Sequence, residues 1–156
     1  IFLAPLFSKW WESKFNPSAA VKFGIGMIIL GIGFGALAYG SSSIPQGAKT
    51  ASVSLVWLVL AYLFHTMGEL CVSPVGLSYV SKLVPAKKIG MMFGIWYLVN
   101  ALGNYLAAKT GSYIDPIVEE YSMSFFFLIF TIIPGVVGLI FLILNPIIKR
   151  LMHGIR

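Results

Sequence analysis

Charge is what this sequence has least of. Only 10% of its 156 residues are Asp, Glu, Lys or Arg, and just five are acidic. An ordinary soluble domain carries roughly 25% charged residues. There is one cysteine, Cys71, so an internal disulfide is excluded and the redox compartment is unreadable. The chain begins Ile1-Phe2-Leu3-Ala4-Pro5, without an initiator Met or a charged leader region, which is not a signal peptide. It reads as entry into a helix already under way, and a fragment truncated at its N-terminus is the expectation. Gly-rich phosphate loops, paired catalytic carboxylates and nucleophile–His arrangements are missing, so the chain reads as no enzyme. The glycines Gly31 to Gly35 do not follow a strand and form no dinucleotide motif.

Apolar residues fill the space that charge leaves. They make up 58% of the chain, with a mean hydropathy of +0.91. They fall in blocks rather than at helix or strand period, and a bilayer core needs about 20 apolar residues per helix. The expected class is an all-α membrane protein. The blocks predict a partial helix at 1–11 and complete spans near 21–40, 53–80, 89–108 and 123–148. Trp10 and Trp11, beside Lys9 and Glu12, suit the headgroup zone. Asn16-Pro17-Ser18 reads as a turn into the next helix. The first complete span is rich in glycine, and Gly31 and Gly35 form a GxxxG pair suited to close helix packing. The stretch Lys109 to Ser122 is expected to be an acidic loop.

The basic residues give these spans a direction. Nine of the eleven lie on one alternating set of segments: Lys9, Lys14, Lys22, Lys82, Lys87, Lys88, Lys149, Arg150 and Arg156. Only Lys49 and Lys109 lie on the other, with three of the five acids. The positive-inside rule then predicts a multi-pass protein of the cytoplasmic membrane with its C-terminus in the cytoplasm. The net charge of +6 is explained by those short loops and forms no basic stripe, so no nucleic-acid partner is expected.

Glu69 is the residue that needs a reason. It is the only acid deep in an apolar block, and it precedes Lys82 by 13 residues. That places it ~20 Å from the basic end of its helix, near mid-membrane. A charge there costs ~2.5–3.5 kcal/mol or more, so Glu69 must be protonated, paired or facing water. No base in the chain lies at matching depth, so its partner is expected outside this chain or on a ligand. His65, Ser73 and Gly76 share its face at helical spacing. His65 and Glu69 are two ligands at most, short of a metal site, and no metal is expected. Ser73 is placed to hydrogen-bond back to the Glu69 carbonyl. Pro74 removes a donor and leaves the Leu70 carbonyl free, a means of bending or gating a transporter helix. Pro134 is expected to act similarly. The next span carries Trp96, Asn100, Gly103 and Asn104 on one face, with Trp96 ~10 Å inside the membrane. Facing each other, the two polar faces would line a cavity; polar glue between helices is the duller reading. Cys71, in apolar surroundings, reads as an inert thiol.

The run Gly68-Glu69-Leu70-Cys71-Val72-Ser73-Pro74-Val75-Gly76-Leu77-Ser78, followed by Lys82-Leu83-Val84-Pro85, closely resembles the tenth-helix signature of the proton-dependent oligopeptide transporters. This is the POT, or PTR, family of the major facilitator superfamily. Met91-Met92-Phe93-Gly94-Ile95-Trp96-Tyr97-Leu98 and Gly103-Asn104-Tyr105-Leu106-Ala107 resemble its eleventh helix. Leu3-Ala4-Pro5 and the segment from Lys22-Phe23 to Gly33 resemble the end of its eighth helix and its ninth. The resemblance implies a major facilitator-type helical bundle, from the end of helix eight to helix twelve. It implies symport of di- and tripeptides with protons, the proton being the coupling ion and no other cofactor entering. Glu69 would meet the peptide's amino end, with Ser73 beside it. Trp96 would line the cavity, and Leu77 would stand at a cytoplasmic gate with the Pro74 bend. Asn100 falls where the family often has a smaller polar residue, and Asn104 would be structural. The partners implied are the peptide, the lipid bilayer and the missing N-terminal half. The alternatives are a facilitator of another substrate, nitrate or a peptide-like metabolite, and a non-transporting membrane scaffold.

Overall fold

The computed structural model describes residues 3–12, 16–46, 48 and 52–152. Ile1, Phe2, Lys14, Gly47, Lys49 and the tail to Arg156, which enter the reading of the start, loops and charge balance, lie outside the described residues. The chain is all-α. Its helices are α1 (Leu3–Glu12), α2 (Ala19–Ser41), α3 (Leu55–Leu83), α4 (Ile89–Gly111), α5 (Ile114–Glu120) and α6 (Met123–Leu151). A single 3-10 turn, Ala86–Lys88, joins α3 to α4.

Three of these helices, α2, α3 and α6, are long and apolar enough to cross a membrane. The sequence reading expected four complete spans. The fourth, α4, matches α2 in length at 23 residues but is less apolar. Trp96, Tyr97, Asn100, Asn104, Tyr105 and its glycines dilute its hydropathy. The expected loop between α4 and α6 also differs, because Ile114–Glu120 is helical. Its Pro116 stands in the first turn, where a missing N–H costs nothing. The Gln46 amide then donates to the carbonyls of Glu119 and Glu120, at 3.2 and 3.0 Å, closing the C-terminal end of α5.

The packing centre is α2, held between α3 and α6. It can sit there because glycines clear both of its sides. A β-carbon built on Gly24 would lie 2.9 Å from the Gly138 carbonyl oxygen of α6, and one on Gly138 would lie 2.7 Å from that of Gly24. Towards α3 the same relation links Gly26 and Gly68, at 2.9 and 2.8 Å. Gly33 approaches Ala61 and His65, and Gly40 meets the Trp57 ring. Two seven-residue ladders, Gly24–Gly31 and Gly26–Gly33–Gly40, thus face different neighbours. Without a hydrophobic drive between helices in lipid, such close van der Waals contact is what holds them.

Hydrogen bonds fix the register at both ends of the α2–α6 pair. The Ser18 hydroxyl donates to the Asn145 amide oxygen, and at the other end the Ser124 hydroxyl donates to the Ala38 carbonyl at 2.7 Å. These pairings make α2 and α6 antiparallel. Ser54 and Ser122 cap α3 and α6, accepting from the backbone N–H groups of Val56 and Phe125. The helices continue through Pro74 in α3 and through Pro134 and Pro146 in α6. By contrast α4 has no buried residue and touches the rest mainly through α3.

Candidate functional site

Each site residue stands on α3 or α4, and α3 sorts them by face. Glu69, Ser73, Gly76 and Leu77 recur at helical spacing along one side. Glu69 is exposed, and no described residue hydrogen-bonds or ion-pairs with its carboxylate. Ser73 and Leu77 are half-buried. Among the described residues Ser73 does not make the expected bond to the Glu69 carbonyl; the hydroxyl back-bonds on α3 are Thr66 to Tyr62 and Ser81 to Ser78. A helix carbonyl already accepts an N–H from the next turn, so a serine back-bond is optional there.

Trp96 reaches α3 where a side chain is missing. Its six-membered ring lies so close to Gly76 that a β-carbon there would collide with it. Gly76 is buried and sits two turns from Glu69 on the same face, a rise of ~10 Å. One turn further along α4, Asn100 is exposed and its amide donates to the Trp96 carbonyl at 2.8 Å. Its hydrogen bond therefore stays within its own helix rather than bridging to another. The structure joins Trp96 to α3, but it does not bring Asn100 into hydrogen bonding with Glu69 or Ser73.

Two cavities flank this contact, and the smaller of them is lined by Gly76 and Trp96, a residue from each polar face. One, of about 540 Å³, is bounded by Trp11, Lys22, Pro74, Ser78, Lys82 and Lys149, among others. Pro74, the residue expected to bend or gate α3, is exposed and forms part of this wall rather than of the Glu69 face. The other, of about 360 Å³, is apolar and runs past Gly76 and Trp96 to Leu83 and Met92 on the α3–α4 side and Phe141 on α6. Sequence reasoning took Lys22, Lys82 and Lys149 as markers of orientation. Their convergence needed the antiparallel order of α2, α3 and α6, which puts the start of α2 beside the ends of the other two. The role of Gly76 as the seat of Trp96 was also missed; a small residue on a polar face was the available signal. His65 packs on Phe34, 4.5 Å between ring centres, and its Nε2 is buried without a hydrogen-bond partner. No group of metal-binding side chains occurs among the described residues.

The POT family's sequence model matches residues 1–125. The chain belongs to the POT family. POT relatives align along most or all of the chain. It is 39% identical over 157 residues to the uncharacterized transporter YclF of Bacillus subtilis, covering 99% of this chain and 30% of the relative. It is 34% identical to a di-/tripeptide transporter of Lactococcus lactis subsp. lactis, covering 100% of this chain and 30% of the relative. Among solved structures, a POT family transporter in complex with 5-aminolevulinic acid superposes with a TM-score of 0.79 at 29% identity, over 95% of this chain and 29% of that one. The POT family chain thus spans about a third of the length of these relatives, and it has the helical bundle architecture of their transporter fold.

Proposed function

We propose that the chain is the C-terminal part, from the end of helix eight to helix twelve, of a proton-coupled symporter of di- and tripeptides. It acts with an N-terminal half, in a cytoplasmic membrane and with its C-terminus in the cytoplasm. The single observation that carries the reading is Glu69. A carboxylate near the middle of a membrane helix, exposed and unpaired by any described residue, calls for a cation from beyond the described residues. A peptide's terminal ammonium supplies one, and the Trp96 ring seated on Gly76 gives the site an apolar wall. Ser73 and Asn100 add polar contacts, while Leu77 and Pro74 act at the gate. Curated relatives named di-/tripeptide transporters support the substrate class. A proton bound in place of the ammonium would couple the gradient to release, with alternating access arising from two halves rocking about the site.

The test is uptake of a labelled dipeptide by the full-length transporter in proteoliposomes under an inward proton gradient. Glu69→Gln removes a charge-assisted pairing and is expected to lower uptake about ten- to hundred-fold. Uptake that survives Glu69→Gln, or that survives collapse of the gradient, overturns the mechanism.

A second reading keeps the family and changes the substrate. The structural relative bound to 5-aminolevulinic acid, which carries an amine and a carboxylate, favours a peptide-like metabolite. A competition panel of dipeptides, 5-aminolevulinic acid and nitrate separates the two. The scaffold alternative requires a protein cation on Glu69, and none is found among the described residues.

A further inference from the structure

We propose that the basic end of the helix bundle holds an anionic phospholipid, headgroup in the lysine cavity and acyl chain in the adjoining apolar one. Lys22, Lys82 and Lys149 come from three different helices and converge on one cavity of about 540 Å³. No carboxylate occurs among its described lining residues. Lys22 is held in place, its ammonium donating to the Asn16 amide oxygen at 2.8 Å and lying 4.8 Å from the centre of the Trp11 ring. Trp11 also lines this cavity, and its indole N–H is buried without a hydrogen-bond partner. Ser78 adds a hydroxyl. Converging cations are the chemistry of a phosphate site, and basic pockets between membrane helices take anionic headgroups.

The second cavity selects lipid over soluble phosphate. It is apolar, about 360 Å³, and shares Tyr79 and Met152 with the first, so the two adjoin. Phe23, Leu83, Met92 and Phe141 border it. A ligand with a charged head and a hydrocarbon tail satisfies both at once.

The experiment uses the full-length transporter, purified in detergent and exchanged against phosphatidylglycerol or phosphatidylcholine, with bound lipid counted by native mass spectrometry. Phosphatidylglycerol is expected to be retained over phosphatidylcholine. Lys22→Gln and Lys149→Gln should each weaken its retention about five-fold, the loss expected for one surface lysine. Lys109→Gln, at the far end of α4, should leave it unchanged. Lys149→Gln lies in the exposed last turn of α6 and keeps the test decisive if Lys22→Gln misfolds. Equal retention of the two lipids, or no effect of Lys149→Gln, overturns the proposal. Displacement by inorganic phosphate as effective as by lipid, with Leu83→Ser without effect, means a soluble-phosphate site and overturns it too.

Discussion

Replacing Gly138 by alanine adds one methyl group at the tightest backbone contact in the bundle. That methyl would lie 2.7 Å from the Gly24 carbonyl oxygen, 2.8 Å from Ile28 Cγ1 and 3.2 Å from the Ile28 nitrogen. Two of the three obstacles are backbone atoms, so no rotamer change relieves them. An ordinary carbon–oxygen contact is about 3.4 Å, so α2 and α6 must part by about 0.7 Å there. A gap of that size forfeits a quarter to a half of the dispersion attraction of each atom pair across it. Overpacking of this kind costs about 1–3 kcal/mol. Alanine's better helix propensity returns about 1 kcal/mol, leaving a net loss of up to about 2 kcal/mol. The assay is thermal unfolding of the full-length protein in detergent at one scan rate, with Gly135→Ala as control. Nothing lies within 4 Å of a β-carbon at Gly135. The control should be neutral or stabilising, while Gly138→Ala should lower the midpoint by a few degrees. Gly24→Ala should couple to it, because helices already parted by one methyl admit the second at less cost. A midpoint that rises for Gly138→Ala as for the control, or strict additivity with Gly24→Ala, refutes the close-packing argument.

Other consequences follow from single contacts. Ser124→Ala removes the hydroxyl that donates to the Ala38 carbonyl, and about 0.5–1.5 kcal/mol of stability should go with it, read as a lower unfolding midpoint. Asn100→Ala breaks only a bond within α4, so stability should change by less than about 1 kcal/mol; a larger loss would show a partner beyond its own helix. Cys71 has 0% of its surface exposed, so a maleimide should label it only after unfolding, and rapid labelling of the folded protein would contradict the packing of α3 on α2. Gly76→Leu should displace the Trp96 ring, shifting tryptophan emission and lowering dipeptide uptake, whereas Gly90→Ala, with nothing within 4 Å, should do neither.

The membrane class was legible because long apolar blocks have no other stable use, and the family because Glu69, Ser73, Pro74 and Trp96 stand in a specific order. Glycine packing was legible only in part. Of the GxxxG pair, a β-carbon on Gly31 would lie 2.9 Å from the Thr131 carbonyl oxygen while one on Gly35 would meet only the Thr131 side chain, and the further backbone approaches use Gly24, Gly26, Gly68 and Gly138. The seven-residue spacing of Gly24–Gly31 and Gly26–Gly33–Gly40 was present in the sequence, but which ladder faces which helix depends on tertiary order. The short α5 escaped because seven residues offer no hydropathy period, although Asp115-Pro116 is a helix-start signal. At the site, two polar faces were readable from spacing alone. That they meet through Trp96 on Gly76 was not, since it depends on how α4 leans on α3.

That lean has a mechanical side. Helices α2, α3 and α6 interlock through backbone, whereas α4 rests on α3 at an aromatic ring lying on a bare glycine. Taken as a pivot, this contact sets how a tilt of α4 would spread along the helix. Gly111 lies 15 residues beyond Trp96, an arm of about 22 Å. A tilt of about 5° at the pivot moves that end by about 2 Å, while Asn100, one turn out, moves by about 0.5 Å. About that pivot the far end of α4 would travel roughly four times as far as Asn100, which stays close to Trp96.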